Sequence, residues 1–128
     1  MKQFTLPAVL TLTIILSSVA ARAQSTDSIP ASERRASQLT EKMKTELSLT
    51  EPQYAQVQAI NIKYAQKNEE IFKSPEGKFT KFRSLRSSQK NKSKELKAVL
   101  DKDQYRKYEE MAAKMKTEAK EQYKNRQG

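Results

Sequence analysis

Two short stretches of this 128-residue chain are near copies of one another: "SLTEPQY", Ser48 to Tyr54, and "VLDKDQY", Val99 to Tyr105. In the first, Thr50 reads as a helix N-cap. Its hydroxyl is placed to accept the backbone N–H of Gln53, while the Gln53 side chain reaches back to the Thr50 N–H, which is the reciprocal capping box. Leu49, just before the cap, is spaced to pack on Tyr54 as a hydrophobic staple, and Pro52 sits in the first turn, where its missing N–H costs nothing. In the second copy Leu100, Asp101, Gln104 and Tyr105 stand for Leu49, Thr50, Gln53 and Tyr54. Asp is an equally good N-cap and suits the helix dipole. The offset of 51 residues continues beyond the caps, so that Val57, Ile60 and Tyr64 correspond to Tyr108, Met111 and Met115. Each copy marks a sharp turn between helices, and the pair predicts two helical hairpins.

Apolar spacing fills in the four helices. Ala36, Leu39, Met43 and Leu47 recur at helical steps after Ser32, which is placed to cap a first helix. Tyr54, Val57, Ile60, Tyr64 and Ile71 form the stripe of a second helix, from Thr50 to about Lys73. "SPEG", Ser74 to Gly77, interrupts with Pro75 and Gly77. A third helix, Lys78 to Val99, carries Phe79, Phe82, Leu85, Leu96 and, just past its end, Leu100; its polar run "SSQKNKS", Ser87 to Ser93, is expected to weaken its middle. The last helix runs from Lys102 to about Tyr123 with Tyr105, Tyr108, Ala112, Met115, Ala119 and Tyr123 on one side. The tyrosines and Met43, Met111 and Met115 read as core residues, the tyrosines keeping wet hydroxyls. No β-strand is expected after Gln24.

The opening residues stand apart. Lys2 is followed by "FTLPAVLTLTIIL" and then by small residues ending in Ala21-Arg22-Ala23. This apolar core is short and closes on an A-x-A site, so residues 1–23 read as a secretory signal peptide cleaved before Gln24. Residues 24–31, "QSTDSIPA", read as a flexible N-terminal segment, and residues 32–125 as a single helical domain. Without Lys2 and Arg22 the chain retains 23 basic and 15 acidic residues, a net of +8. Nucleic acid is not the expected partner of an exported chain, and no zinc-finger or stacked-aromatic pattern is present. There is no Cys, so stability must come from packing, yet only 32 of the 105 residues from Gln24 onward are apolar. An open layer of helices, or a dimer that completes its core across an interface, fits that shortage.

Enzyme chemistry is poorly provided for, and no cofactor or metal is expected. There is no His and no Cys, which removes the commonest general base, thiol nucleophile and soft metal ligands. The acid pairs Glu69-Glu70 and Glu109-Glu110 point about 100° apart on a helix and cannot converge. No Gly-x-Ser-x-Gly elbow or glycine-rich phosphate loop occurs.

Two capping boxes between helices, "LTEPQ" intact and "LDKDQ" departing at Asp101, in a short exported chain resemble the LTxxQ-motif family of periplasmic helical proteins, the Spy and CpxP group. The resemblance covers Ala36 to Tyr123. It implies a four-helix, cradle-shaped antiparallel homodimer in the periplasm. It further implies either an ATP-independent chaperone for unfolded or misfolded envelope proteins or a stress regulator that binds a sensor kinase. Metal-sensing relatives would need His or Cys ligands that this chain lacks.

Charge points to where a partner would dock. Lys73 to Ala98 holds nine basic residues against Glu76 and Glu95, which is +7 of the +8. Phe79, Lys81, Phe82, Arg83, Leu85, Arg86 and Lys90 form the candidate client surface, a wet basic face with apolar and aromatic groups. There charge would steer encounter while Phe rings and Lys stems offer nonspecific contact. Such a run also serves simply as a solvated face. A third reading is a structural module for anionic envelope polymer or lipid. Ala55, Ala59 and Ile62 form a small second apolar strip on helix two, a candidate dimer contact. Leu49, Thr50, Gln53, Leu100, Asp101 and Gln104 are the structural capping residues.

Overall fold

The computed structural model describes residues 29–128, so the expected signal peptide and most of the expected lead-in lie outside the described residues. The fold is all-α: α1 (Ala31–Leu47), α2 (Glu51–Lys73), α3 (Lys78–Val99) and α4 (Lys102–Gln127), with no strand among the described residues. None of these helices is long and apolar enough to cross a membrane.

Both capping boxes form. Gln53 N–H donates to the Thr50 hydroxyl at 3.3 Å and Thr50 N–H to Gln53 Oε1 at 3.1 Å. Gln104 N–H donates to Asp101 Oδ1 at 2.8 Å and Asp101 N–H to Gln104 Oε1 at 3.0 Å. The first turn is closed by Ser48 in the left-handed conformation (φ 53°), which lets Leu49 N–H bond the Lys44 carbonyl. Leu49 and Leu100 both enter the core, but the expected staple partner Tyr54 does not. Tyr54 turns to α1 instead: its hydroxyl donates to Glu41, and Lys44 Nζ lies 4.7 Å from its ring centroid.

The core is a stripe of Met43, Leu47, Leu49, Val57, Ile60, Tyr64, Leu96, Leu100, Tyr108 and Met111, with Leu39, Val99, Tyr105 and Ala112 packed on its margin. α2 is the central element, packed along α1 on one side and α3 on the other, while α4 touches α1 and α3 only through its first half. Beyond Ala112 every residue of α4 is exposed. That half is held as helix by good helix formers and by the i,i+4 ion pair Lys114–Glu118. The 51-residue repeat therefore holds structurally through Met111 and breaks at Met115, which is 39% exposed where its counterpart Tyr64 is buried.

Several expectations are corrected. α1 begins two residues earlier than a cap at Ser32 requires, with Pro30 at the cap position; the Ser32 hydroxyl is committed elsewhere, donating to Glu69 of α2. The polar run does not weaken α3, which is unbroken through Ser87 to Ser93. Ser88 is fully buried and its hydroxyl donates to Asn68 Oδ1 at 2.7 Å, so a small polar residue serves as the close contact between α2 and α3. α4 runs on to Gln127, past the expected end. Met115 and Tyr123 are exposed rather than core, because α4 has left the layer by the time it reaches them.

α2 and α3 are also tied at the surface. Lys63 Nζ lies 2.6 Å from Glu95 Oε2, and the Tyr64 hydroxyl donates to Glu95 Oε1 at 2.7 Å. These donors hold the Glu95 carboxyl below the ordinary glutamate range, first through Lys63 and then through Tyr64. The same bond to Glu95, with burial adding to it, pushes the Tyr64 hydroxyl up to about 12.

Candidate functional site

The two glutamines of the capping boxes meet. Gln53 Nε2 donates to Gln104 Oε1 at 2.7 Å and Gln104 Nε2 donates to Gln53 Oε1 at 2.9 Å, a reciprocal amide pair joining the two hairpin turns. Each Nε2 also bonds a helix-end carbonyl of the other hairpin: Gln53 to Val99 O and Gln104 to Leu47 O, both at 3.2 Å. Sequence reasoning placed each glutamine in its own box and missed the pair. One signal was present: a capping box accepts Glu or Gln at this position, but both copies have Gln, the one that also donates. This knot is structural and brings the ends of all four helices together, two turn against two turn.

The candidate client residues divide. In α3 the buried and half-buried positions include Lys81, Leu85, Ser88, Lys92, Leu96 and Val99, whereas Phe79, Phe82, Arg83, Arg86 and Lys90 are exposed on the other side. The apolar stripe drawn from Phe79 through Phe82 and Leu85 to Leu96 therefore combines two faces. Leu85 belongs with the inward one, and Lys92 lies on that face as well. Lys81 bends back to cap the end of α2, its Nζ donating to the Phe72 carbonyl at 2.8 Å.

The outward group is an aromatic and basic surface at the α2–α3 joint. Phe79 is 73% exposed, Phe82 61%, and Phe72, which sequence reasoning passed over because it lies off the α2 stripe, 64%. Arg83 sits over the Phe79 ring at 5.9 Å. Among the described residues Lys78, Arg83, Arg86 and Lys90 have no acidic partner within ion-pair distance. Lys73 does, at Glu69, and Glu95 pairs with Lys63 of α2 rather than with a lysine of its own helix. Of the candidate dimer strip, Ala55 and Ala59 are exposed and Ile62 is half-buried, so they remain available on the outer side of α2. Among the described residues no group of three or more acids, histidines or cysteines is placed to hold a metal ion.

A second feature lies on the opposite side of α3. As α4 departs from the layer it leaves a cleft of about 470 Å³ between itself, α1 and α3, lined by Leu39, Lys92, Tyr108, Met111, Ala112 and Met115. It adjoins a second cleft of about 510 Å³ over α1 and α2, with Leu39, Lys92 and Met115 common to both.

Fold and surface together define a class: a small all-α domain of two capped hairpins, locked at their turns by a glutamine pair and presenting exposed aromatics among cations. The chain belongs to the family described as a domain of unknown function, DUF4890, whose profile matches residues 20–108, more than half of the chain. That match takes in both capping boxes and ends at Tyr108, before α4 leaves the layer. No curated protein and no solved structure gives a significant match.

Proposed function

We propose that the protein is an exported, periplasmic, ATP-independent chaperone-like factor that binds non-native envelope proteins and limits their aggregation, in keeping with the resemblance to LTxxQ-motif proteins. The observation that carries this reading is the exposure of Phe72, Phe79 and Phe82 at one helix joint amid unpaired Lys78, Arg83, Arg86 and Lys90. A single exposed apolar side chain needs no explanation, but three aromatic rings around one joint form the kind of patch that marks an interaction surface. Around them the cations steer flexible acidic chains at long range, and the rings then provide apolar contact with no demand on sequence. Binding of this kind is weak and reversible, because the rings lie on an open surface and not in a desolvated pocket.

The test is light scattering of a heat-denatured or reduced unrelated protein, without nucleotide, at low and moderate salt. Suppression near stoichiometric amounts, reduced by Phe82→Ser and by Arg86→Glu, is the expected result. No suppression at several-fold excess refutes the chaperone reading. Capture of a single envelope sensor at one-to-one stoichiometry would replace it with the regulator reading. Strongly salt-dependent binding to anionic polymer or lipid that ignores Phe79 and Phe82 would replace it with the structural one.

A further inference from the structure

Lys92 is placed unlike any other lysine among the described residues. It projects from the inward face of α3, one turn from fully buried Ser88 and one turn from fully buried Leu96, into the cleft left by α4. It makes no hydrogen bond or ion pair among the described residues. The charged and titratable groups around the two clefts do not supply a counterion. α1 contributes Arg35, α2 contributes Glu69, Lys73 and Tyr64, and α4 contributes Lys116 and Tyr108. The one acid among them, Glu69, is already held by Lys73 and by the Ser32 hydroxyl. Burial pushes the Lys92 ammonium down to about 8, which leaves it mostly protonated at neutral pH.

A half-buried cation with no acid beside it and apolar walls on one side has lost part of its hydration, and an anion that joins it there offsets that loss. The walls say which kind of anion. Leu39, Met111, Ala112 and Met115 offer hydrocarbon and two adaptable thioethers, and the backbone of the surrounding helices is already hydrogen-bonded within them. Of the polar side chains that line this cleft, Gln89 donates through its Nε2 to the Tyr108 hydroxyl at 3.2 Å. A peptide laid here would leave its own N–H and C=O groups without partners, whereas an acyl chain has none to satisfy. The volume of about 470 Å³ lies within the range of small-molecule sites, roughly 300–1,000 Å³. We propose that this cleft binds a fatty acid, its carboxylate on the Lys92 ammonium and its chain along Leu39, Met111, Ala112 and Met115. The site is on the other face of α3 from Phe79 and Phe82 and does not depend on the chaperone reading.

The experiment titrates the protein with octanoate, decanoate and laurate below their micelle concentrations, by displacement of a fluorescent acyl probe, beside dodecanol and dodecyltrimethylammonium. One site per chain is expected for laurate, with affinity rising about tenfold for each two methylenes that are buried. Dodecanol should bind at least tenfold more weakly and the cationic amphiphile not measurably. Lys92→Met keeps the length and apolar stem and removes the charge. It should weaken laurate at least tenfold, leave dodecanol unchanged and retain full helix content by circular dichroism. Ala112→Phe, which fills the cleft wall, should weaken both ligands. In the unaltered protein, bound laurate should move the Lys92 amine titration upward from about 8 when followed by NMR. Equal affinity for laurate and dodecanol, laurate binding unchanged in Lys92→Met, or a Lys92 titration unmoved by laurate would each overturn the proposal.

Discussion

Gln53→Glu separates a local role for the capping box from the cross-hairpin role described above, because the two predict opposite signs. Locally the substitution is conservative: a carboxylate accepts the Thr50 N–H as well as an amide oxygen does, and a negative charge in the first turn of α2 gains about 0.3–1 kcal/mol from the helix dipole. Across the hairpins it is not. The amide nitrogen donates to Gln104 Oε1 at 2.7 Å and to Val99 O at 3.2 Å, and a carboxylate donates to neither. At about 0.5–1.5 kcal/mol net per bond, the two losses come to about 1–3 kcal/mol, and repulsion between oxygens now facing each other adds to them. Gln104 Nε2 keeps its acceptor, so that bond is not among the losses. The net expectation is a destabilisation of about 1–3 kcal/mol at pH 7. For a urea slope of about 1–2 kcal/mol/M this lowers the midpoint by about 1–2 M. Circular dichroism during urea unfolding reads it directly. Protonation restores a donor, so the pKa of the introduced acid is raised in the folded state and the destabilisation should shrink as pH falls toward 4. A midpoint at pH 7 that is unchanged or raised would show that each box acts alone and that the glutamine pair contributes nothing to joining the hairpins.

Three further outcomes follow from other parts of the structure. Ser88→Leu should cost about 1–3 kcal/mol, measured by thermal or urea unfolding, because it overfills the α2–α3 contact and strips Asn68 Oδ1 of its donor. Tyr64→Phe should cost about 1 kcal/mol near neutral pH by removing the bond to Glu95. In the unaltered protein Tyr64 ionises late, so its contribution persists below the ordinary tyrosine value of about 10 and is lost as pH rises toward about 12; a tyrosinate absorbance titration with one fewer late-ionising group in the variant checks this. Phe82→Ser should change stability by less than about 0.5 kcal/mol, since the ring is exposed, so any loss of client binding in that variant reflects the surface and not the fold.

Much of this architecture is legible locally. A capping box involves only residues within one turn of each other, so Thr50 with Gln53 and Asp101 with Gln104 could be read from spacing, and the helix boundaries followed to within a few residues. The first stripe, Ala36, Leu39, Met43 and Leu47, likewise faces inward as its period required. α3 was harder, because its inward positions carry Ser88 and Lys92 while its outward positions carry Phe79 and Phe82. A stripe drawn through the most apolar residues then joins two faces. The polar run was expected to loosen the helix, yet it supplies the small residue that lets α2 and α3 approach.

Composition and periodicity thus determined that this chain is helical, where it turns, and that it carries its excess charge on α3, because each of those properties depends on residues close together in sequence. Only the tertiary structure decided that Gln53 and Gln104, 51 residues apart, donate to one another, that Met115 and Tyr123 leave the core, and that Lys92 lacks an acid. Pairing across that distance and the point at which α4 leaves its neighbours depend on how whole helices pack. The same apolar period that marks a buried face cannot say how far along a helix a partner continues to cover it.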